Sequence, residues 1–407
     1  MNGEGIGKLT VRDVPVEGER VLLRADLNVP MDDTLVSDDT RIRESLPTIE
    51  FLLGRGAAVL ICSHLGRPKG QHEAGLSLAP VGERLAELLG QPVLFAEDSI
   101  GPSAKKLARS LQPGEVGLLE NLRFHSEEEA NERDFAGKLA ELASLYVNDA
   151  FGVAHRAHAS TVGIADFLPA IAGFLLEKEV RYLGSLVTAP PHPFVAIVGG
   201  AKVSTKISAI DHLLPKLDCL LVGGGMANTF LKAQGFEVGV SLVEDDLLDM
   251  ARGILERAAS AGVAVGLPLD AVVATELSPG IPVKTVSVDA IPTDCMVLDV
   301  GPATLAAFEQ VLSNAAAVVW NGPLGVFELE QFARGSFGLA SALANLEATT
   351  VVGGGETAAV VARSGLAERF THVSTGGGAS LEMLEGVVLP GITALLDAPS
   401  RFPHELH

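Results

Sequence analysis

Along this chain, short unbroken aliphatic runs alternate with stretches of helical period. The runs at 21–23, 57–62, 116–119 and 145–147 in the first half, and at 194–198, 219–222, 264–274, 315–320 and 349–352 in the second, have strand length and no polar alternation. Strands buried on both faces read this way. Between them, 41–55, 79–89, 127–145 and 177–186 repeat apolar residues at helical spacing. Strand and helix in strict alternation predict parallel sheets with helices on both faces. The expected fold class is therefore α/β, with two doubly wound parallel-sheet (Rossmann-like) domains joined by a hinge helix.

The length of 407 residues supports two domains at roughly 100–200 residues each. The break is expected near 172–192, where the helical pattern of 177–186 runs into TAPPHP at 188–193, a stiff non-helical connector. The domains are expected to span 1–172 and 192–391, with 173–191 as interdomain helix and linker and a tail, 392–407, returning to the first domain.

Aromatic residues are only 5% of a chain that is 47% hydrophobic, so the cores must be aliphatic. A formal net charge of −21 argues against nucleic acid and anionic membrane as partners. Even so, residues 1–185 hold 19 of the 30 Lys and Arg, which points to an anionic ligand there. Cys62, Cys219 and Cys295 are odd in number and far apart, without a metal or disulfide spacing. No run has the length of a membrane span or signal peptide, so a cytoplasmic protein is expected.

In open α/β sheets, ligands bind beyond the carboxyl ends of the strands. In the first half those ends read RADLNVP (24–30), SHLGRP (63–68), ENLRFH (120–125) and NDAFGVAHRAHAS (148–160). Each carries Arg or His: Arg24, His64, Arg67, Arg123, Arg156, with Arg41 at a helix start. One strand-end arginine is usually a surface ion pair. Four strand ends with the same habit suit a small polyanion, which guanidinium groups grip in bidentate fashion.

The second half ends its strands in glycine: GGAK (199–202), GGGM (223–226), NGPLG (321–325), GGGET (353–357) and TGGGAS (375–380). Such turns bring backbone N–H groups against phosphate, and five of them point to a nucleotide. Neither G-x-x-x-x-G-K-[ST] nor G-x-G-x-x-G occurs. Lys202 and Lys206 stand four apart and are expected on one helix face, where like charges are unfavourable unless they meet phosphate. Glu356 suits a divalent cation, or simply the first turn of a helix. His155 and His158 lack a third ligand and make no metal site.

These segments, with WNGPLGVFE (320–328) and STGGGASLEMLEG (374–386), resemble the signatures of the phosphoglycerate kinase family from about Leu9 to Gly391, in the family's order and spacing. The resemblance implies a first domain that binds 3-phosphoglycerate through Asp26, Asn28, Arg41, His64, Arg67, Arg123 and Arg156. It implies a second that binds ATP or ADP with Mg²⁺ through Gly200, Lys202, Lys206, Gly223, Gly224, Asn321, Pro323, Glu328, Gly353, Gly354, Gly355, Glu356 and Thr357, Glu356 serving the metal. Arg41, Lys206, Gly355 and Gly378 would be catalytic. The product would be 1,3-bisphosphoglycerate, and the enzyme a hinge-bending monomer of glycolysis. Three positions depart from the family: Thr205 and Glu356 each stand where Asp is usual, and Ala303 replaces a more polar residue.

The chemistry fits this site. A carboxylate acceptor is already ionised at neutral pH and needs no general base. Catalysis must then come from alignment and positive charge. Two other readings are a nicotinamide dehydrogenase, disfavoured by the missing dinucleotide motif and the lack of an obvious general base, and a two-lobed solute binder, which is expected to carry an export signal and does not need two phosphate surfaces.

Overall fold

The computed structural model describes residues 6–399. The chain forms two compact units. One runs to Arg181 and resumes at Val388, and the other spans Tyr182–Val387. The first change of unit falls inside the helix Phe174–Thr188.

The first unit contains β1 (Arg20–Arg24), β2 (Met31–Asp32), β3 (Leu35–Val36), β4 (Ala58–Cys62), β5 (Val93–Ala96), β6 (Val116–Leu119), β7 (Leu145–Asn148) and β8 (Ala170–Ala172). β2 and β3 make a small hairpin. The other six form one sheet, ordered β5-β6-β4-β1-β7-β8, with every pairing parallel. Val21, Leu23, Val59, Ile61, Leu118 and Val147 are wholly buried at its centre. Burying each such side chain stabilises by about 1.5–3 kcal/mol. Connections run from β1 toward β5, then cross back to β7, so the winding reverses between β1 and β7. The chain's own ends cover the far edge: Leu9 O accepts from Ala172 N–H, and Leu396 N–H donates to Ala170 O. An open strand edge is thereby removed.

The second unit contains β9 (Phe194–Val198), β10 (Cys219–Val222), β11 (Ala264–Gly266), β12 (Asp270–Ala274), β13 (Lys284–Ser287), β14 (Met296–Val300), β15 (Ala317–Asn321), β16 (Thr349–Gly353) and β17 (His372–Val373). Its main sheet is parallel, in the order β11-β10-β9-β15-β16-β17, and reverses between β9 and β15. Trp320, Ile197, Leu221 and Val352 anchor its core.

Three expectations require correction. The run 264–274 is not one strand: β11 and β12 lie in different sheets, separated by a segment holding Pro268, which has no N–H for a ladder. β12 instead centres an antiparallel sheet, β13-β12-β14, that the reading of purely parallel sheets missed. The helical stretch 127–145 is two helices, Ser126–Glu129 and Arg133–Ala140, broken where Asn131 takes a left-handed φ of 53°. Of the expected tail, residues 400–407 lie outside the described residues.

Candidate functional site

In the first unit, residues of the strand exits converge at the reversal between β1 and β7. Ser63, just past β4, ties its neighbours together: its Oγ accepts from Leu27 N–H at 2.9 Å and donates to Ala25 O at 2.8 Å. Asn121, just past β6, donates to Leu65 O and Leu76 O and accepts from Arg123 N–H. Glu120 receives Leu78 N–H and the Ser77 hydroxyl. These polar groups are buried and paired, as buried polar groups must be. They hold the loop that carries His64, Gly66 and Arg67.

On that frame, Asn28 Oδ1 accepts from Gly66 N–H at 2.9 Å, and Arg123 Nη1 donates to Gly66 O at 2.9 Å. Arg123 Nε stands 3.3 Å from Glu129 without a hydrogen bond, so part of this buried guanidinium is unsatisfied. Burial draws its pKa down. Arg41 donates to Asp26 at 2.6 Å. Asp26 is 3% exposed, so here it aims Arg41 more directly than it meets solvent. Arg67 and Arg156 are exposed.

The field at the centre is strongly positive. His64 is held well below its usual pKa by burial first, then by Arg24, Arg123, Arg41 and His158. His158 is pushed down to about 4, by burial and then by Arg123, Arg24, Arg156 and His155. Both imidazoles are neutral at pH 7, so the arginines alone supply the charge. Arg24 is the exception among the strand-end arginines: it is wholly buried and presents nothing to a ligand.

In the second unit, three strand-end turns pack backbone against backbone. Gly200, at φ 97°, donates its N–H to Pro323 O, and Gly224 donates to Leu324 O. A Cβ on Gly224 would lie 2.6 Å from Gly200 N and 2.7 Å from Pro323 O, at a φ of 66°. Only glycine fits there, and the turns are locked to one another by their own N–H groups. Gly223 is tight for a different reason, facing Leu324 at the base of the turn.

Asn321 ends β15. Its Oδ1 accepts from Lys206 Nζ, while its buried Nδ2 has no partner. That amide lies under the glycine turn 353–355, within 3.2 Å of where a Gly353 Cβ would be. Burial lowers the Lys206 pKa, opposed by Glu356 and Glu385. Lys202 is extended, and Val203–Thr205 is a short 3₁₀ turn, so the two lysines do not share a helix face as expected. The α-helix begins only at Ile207. Thr357 is wholly buried and accepts Gly322 N–H at 2.7 Å, so its hydroxyl braces a turn. Glu356 and Gly355 are exposed at the start of the helix Gly355–Ser364, and Gly378 is exposed at the start of Gly378–Leu384.

A cleft of about 520 Å³ opens beside these turns. Gly200, Gly224, Pro323, Glu328 and Glu356 line its polar side, and Leu231, Val240, Leu242, Met296 and Leu298 its apolar side. Concave, mostly apolar walls with a few polar groups at one end suit a nucleoside with its phosphates on the glycine turns. The apolar wall escaped the sequence reading, because it comes from three separate segments with no common motif. Glu244 escaped it too. Its carboxylate accepts Ser204 N–H and the Ser204 hydroxyl, fastening the 3₁₀ turn between the lysines to the segment that carries Val240 and Leu242.

Among the described residues, no group of three or more His, Cys, Asp or Glu forms a metal cage. Mg²⁺ does not require one, since it binds through one or two carboxylates plus substrate phosphates. The exposed Glu356 carboxylate, on the cleft wall beside the glycine turn, fits that role.

Residues 11–387 match the family model described as phosphoglycerate kinase. The chain is 55% identical over 392 residues to "Phosphoglycerate kinase" of Pelotomaculum thermopropionicum, covering 96% of this chain and 100% of the relative. It is 54% identical to that of Moorella thermoacetica, with the same coverage. Among solved structures, phosphoglycerate kinase from Coxiella burnetii superposes with a TM-score of 0.86 at 43% identity, covering 95% of this chain and 98% of that one. The Pyrococcus horikoshii enzyme gives 0.84 at 33% identity, with the same coverage.

Proposed function

The chain belongs to the phosphoglycerate kinase family, and from that premise we propose how its own residues divide the work. The protein is a phosphotransferase with a carboxyl acceptor, moving a phosphoryl group reversibly between ATP and 3-phosphoglycerate. A dehydrogenase or solute binder is not favoured.

The first unit takes the phosphoglycerate. Arg67, Arg123 and Arg156 grip its phosphate, with Asn28 and Asp26 fixing the loops around it. Arg41 faces the acceptor carboxylate and the phosphoryl in transit. The second unit takes the nucleotide. The base lies along Leu231, Val240, Leu242, Met296 and Leu298. The phosphates lie on the backbone N–H groups of the 353–355 turn and the helix start that follows it, beside Lys202 and Lys206, while Gly200, Gly224 and Pro323 shape the cleft wall. Lys206 leaves Asn321 to follow the transferring phosphoryl, and the free Asn321 Nδ2–H donates to phosphate oxygen. Gly355 and Gly378 offer backbone at exposed helix starts. Mg²⁺, bound with the nucleotide, supplies charge neutralisation on the phosphates, and Glu356 is the side chain here that would hold it. No residue is needed as a base, and the catalytic contribution is positioning and electrostatic stabilisation. The same reading makes the protein a monomer of cytoplasmic glycolysis.

The observation that carries this division is the mutual packing of the 199–200, 223–224 and 322–323 turns at one end of an apolar cleft. A coupled assay with ATP, Mg²⁺ and 3-phosphoglycerate tests the activity, and absence of ADP formation would refute it. Glu356→Ala tests the metal role. The expected result is a rise in KM for Mg-ADP with KM for the phosphoglycerate partner little changed. An unaltered Mg-ADP affinity would leave Glu356 as a helix-start residue only.

A further inference from the structure

Arg24 ends β1 and is wholly buried, and its guanidinium is shared among three acceptors. Nε donates to Ser160 Oγ at 2.9 Å, Nη1 to Ala25 O at 2.6 Å, and Nη2 meets His64 Nδ1 at 3.2 Å. Ser160 passes the connection on: its Oγ–H donates to Glu128 Oε1 at 2.6 Å and its N–H to Glu128 Oε2 at 2.9 Å. Glu128, Ser160, Arg24 and His64 thus form one hydrogen-bonded chain, none of them more than 3% exposed. It joins the exits of β1, β4, β6 and β7.

The direction of every bond in this chain is fixed by chemistry. A guanidinium donates at each nitrogen, accepts at none and does not lose its proton in a protein. A ring nitrogen facing it must therefore offer a lone pair. The Nδ1 of His64 is bare, and the ring proton lies on Nε2. Glu128 is the carboxylate of the chain and supplies the counter-charge that a buried guanidinium requires.

We propose that Arg24 is a positioning residue that locks His64 in the neutral Nε2–H tautomer, so that His64 is a fixed hydrogen-bond donor to the anionic substrate, with Glu128 and Ser160 holding Arg24 in place. This rests on the substrate assignment above. The advantage is physical. A ring free to choose its tautomer would offer a lone pair to an anion part of the time. A ring free to protonate would change the charge of the site with pH. The groups that act on His64 from the packed elements are Arg24 on β1, Arg41 on the helix Thr40–Gly54, Arg123 after β6 and His158 after β7. Three are cations that oppose an imidazolium, as does burial, and His158 is neutral in this range.

The test is nitrogen NMR on the intact protein labelled with ¹⁵N-histidine, without substrate, from pH 6 to 8. His64 is identified by the signals lost in His64→Gln. The expected spectrum has an unprotonated Nδ1 and a protonated Nε2 throughout. A protonated Nδ1, or an imidazolium in this range, overturns the proposal. Arg24→Met should release the tautomer and raise KM for phosphoglycerate by on the order of 10-fold, with KM for Mg-ATP unchanged. An unmixed Nε2–H tautomer in that variant would also overturn it. The spectrum of the unsubstituted protein decides the assignment even if the variant does not fold. Because that spectrum needs no substrate, its outcome is separable from failure of the kinase assay.

Discussion

Arg41 and Arg67 carry the same charge in different surroundings. Arg41 is anchored on the buried Asp26, whereas Arg67 is exposed, with no hydrogen-bond or ion-pair partner among the described residues. An anchored guanidinium is pre-organised for charge that develops during transfer, and a free one suits a phosphate whose charge barely changes. Contacts made only in the transition state affect kcat, and contacts equal in both states affect KM. Arg41→Ala is therefore expected to lower kcat by on the order of 10³-fold, while Arg67→Ala mainly raises KM for phosphoglycerate. Steady-state kinetics on the two variants checks this, and near-normal turnover of Arg41→Ala at saturation would return Arg41 to the ground-state binders. At the same scale, two departures from the family prove local. Thr205 Oγ1 donates to Lys202 O at 2.9 Å, and Ala303 meets Asp270 through its backbone N–H, so its side chain is not used.

At the scale of elements, the proposed nucleotide site is a set of turns. What makes them a site is their approach to one another. Gly224→Ala places a methyl against Gly200 and Pro323 at a left-handed φ, so two turns must separate. The expected outcome is a loss of about 1–3 kcal/mol in stability and a rise of at least 10-fold in KM for Mg-ATP, the phosphoglycerate KM remaining close to normal. Thermal melts and kinetics of this one variant measure both. Unchanged nucleotide affinity would mean that the cradle tolerates a Cβ and lies elsewhere. Trp320 shows how strongly the turn at 322 is held from below: its indole N–H donates to Gly322 O at 2.8 Å, while Gly322 N–H is bound by Thr357.

For the molecule as a whole, buried ionisable groups link folding to pH. His158 takes up its proton only near pH 4 when folded, against about 6.5 when unfolded. The folded state thus binds fewer protons between these values, so its contribution is complete above pH 6.5 and is lost as pH falls toward 4. Between pH 7 and 5 this amounts to about 2 kcal/mol. Asp149, pushed up to about 6 by burial, has the opposite sign: its contribution is present in acid and lost as pH rises through 6. His158→Gln should accordingly show a smaller fall in urea midpoint from pH 7 to 5 than the unsubstituted protein, and an equal fall would refute the shift. The alternation of aliphatic runs and helical periods determined the α/β class, and the residues closing each run, arginines in one half and glycines in the other, led to the ligand classes proposed for them, because strand ends are local features of sequence. Local pattern could not tell that the run at 264–274 divides between two sheets, since both pieces are equally apolar. It could not separate Arg24, sealed against Ser160 and Glu128, from Arg67, open to solvent, because the two arginines have the same kind of strand-end setting. Only the tertiary structure decided such roles, including the cleft wall and the Glu244 fastening, because each depends on segments far apart in the chain meeting within hydrogen-bond distance.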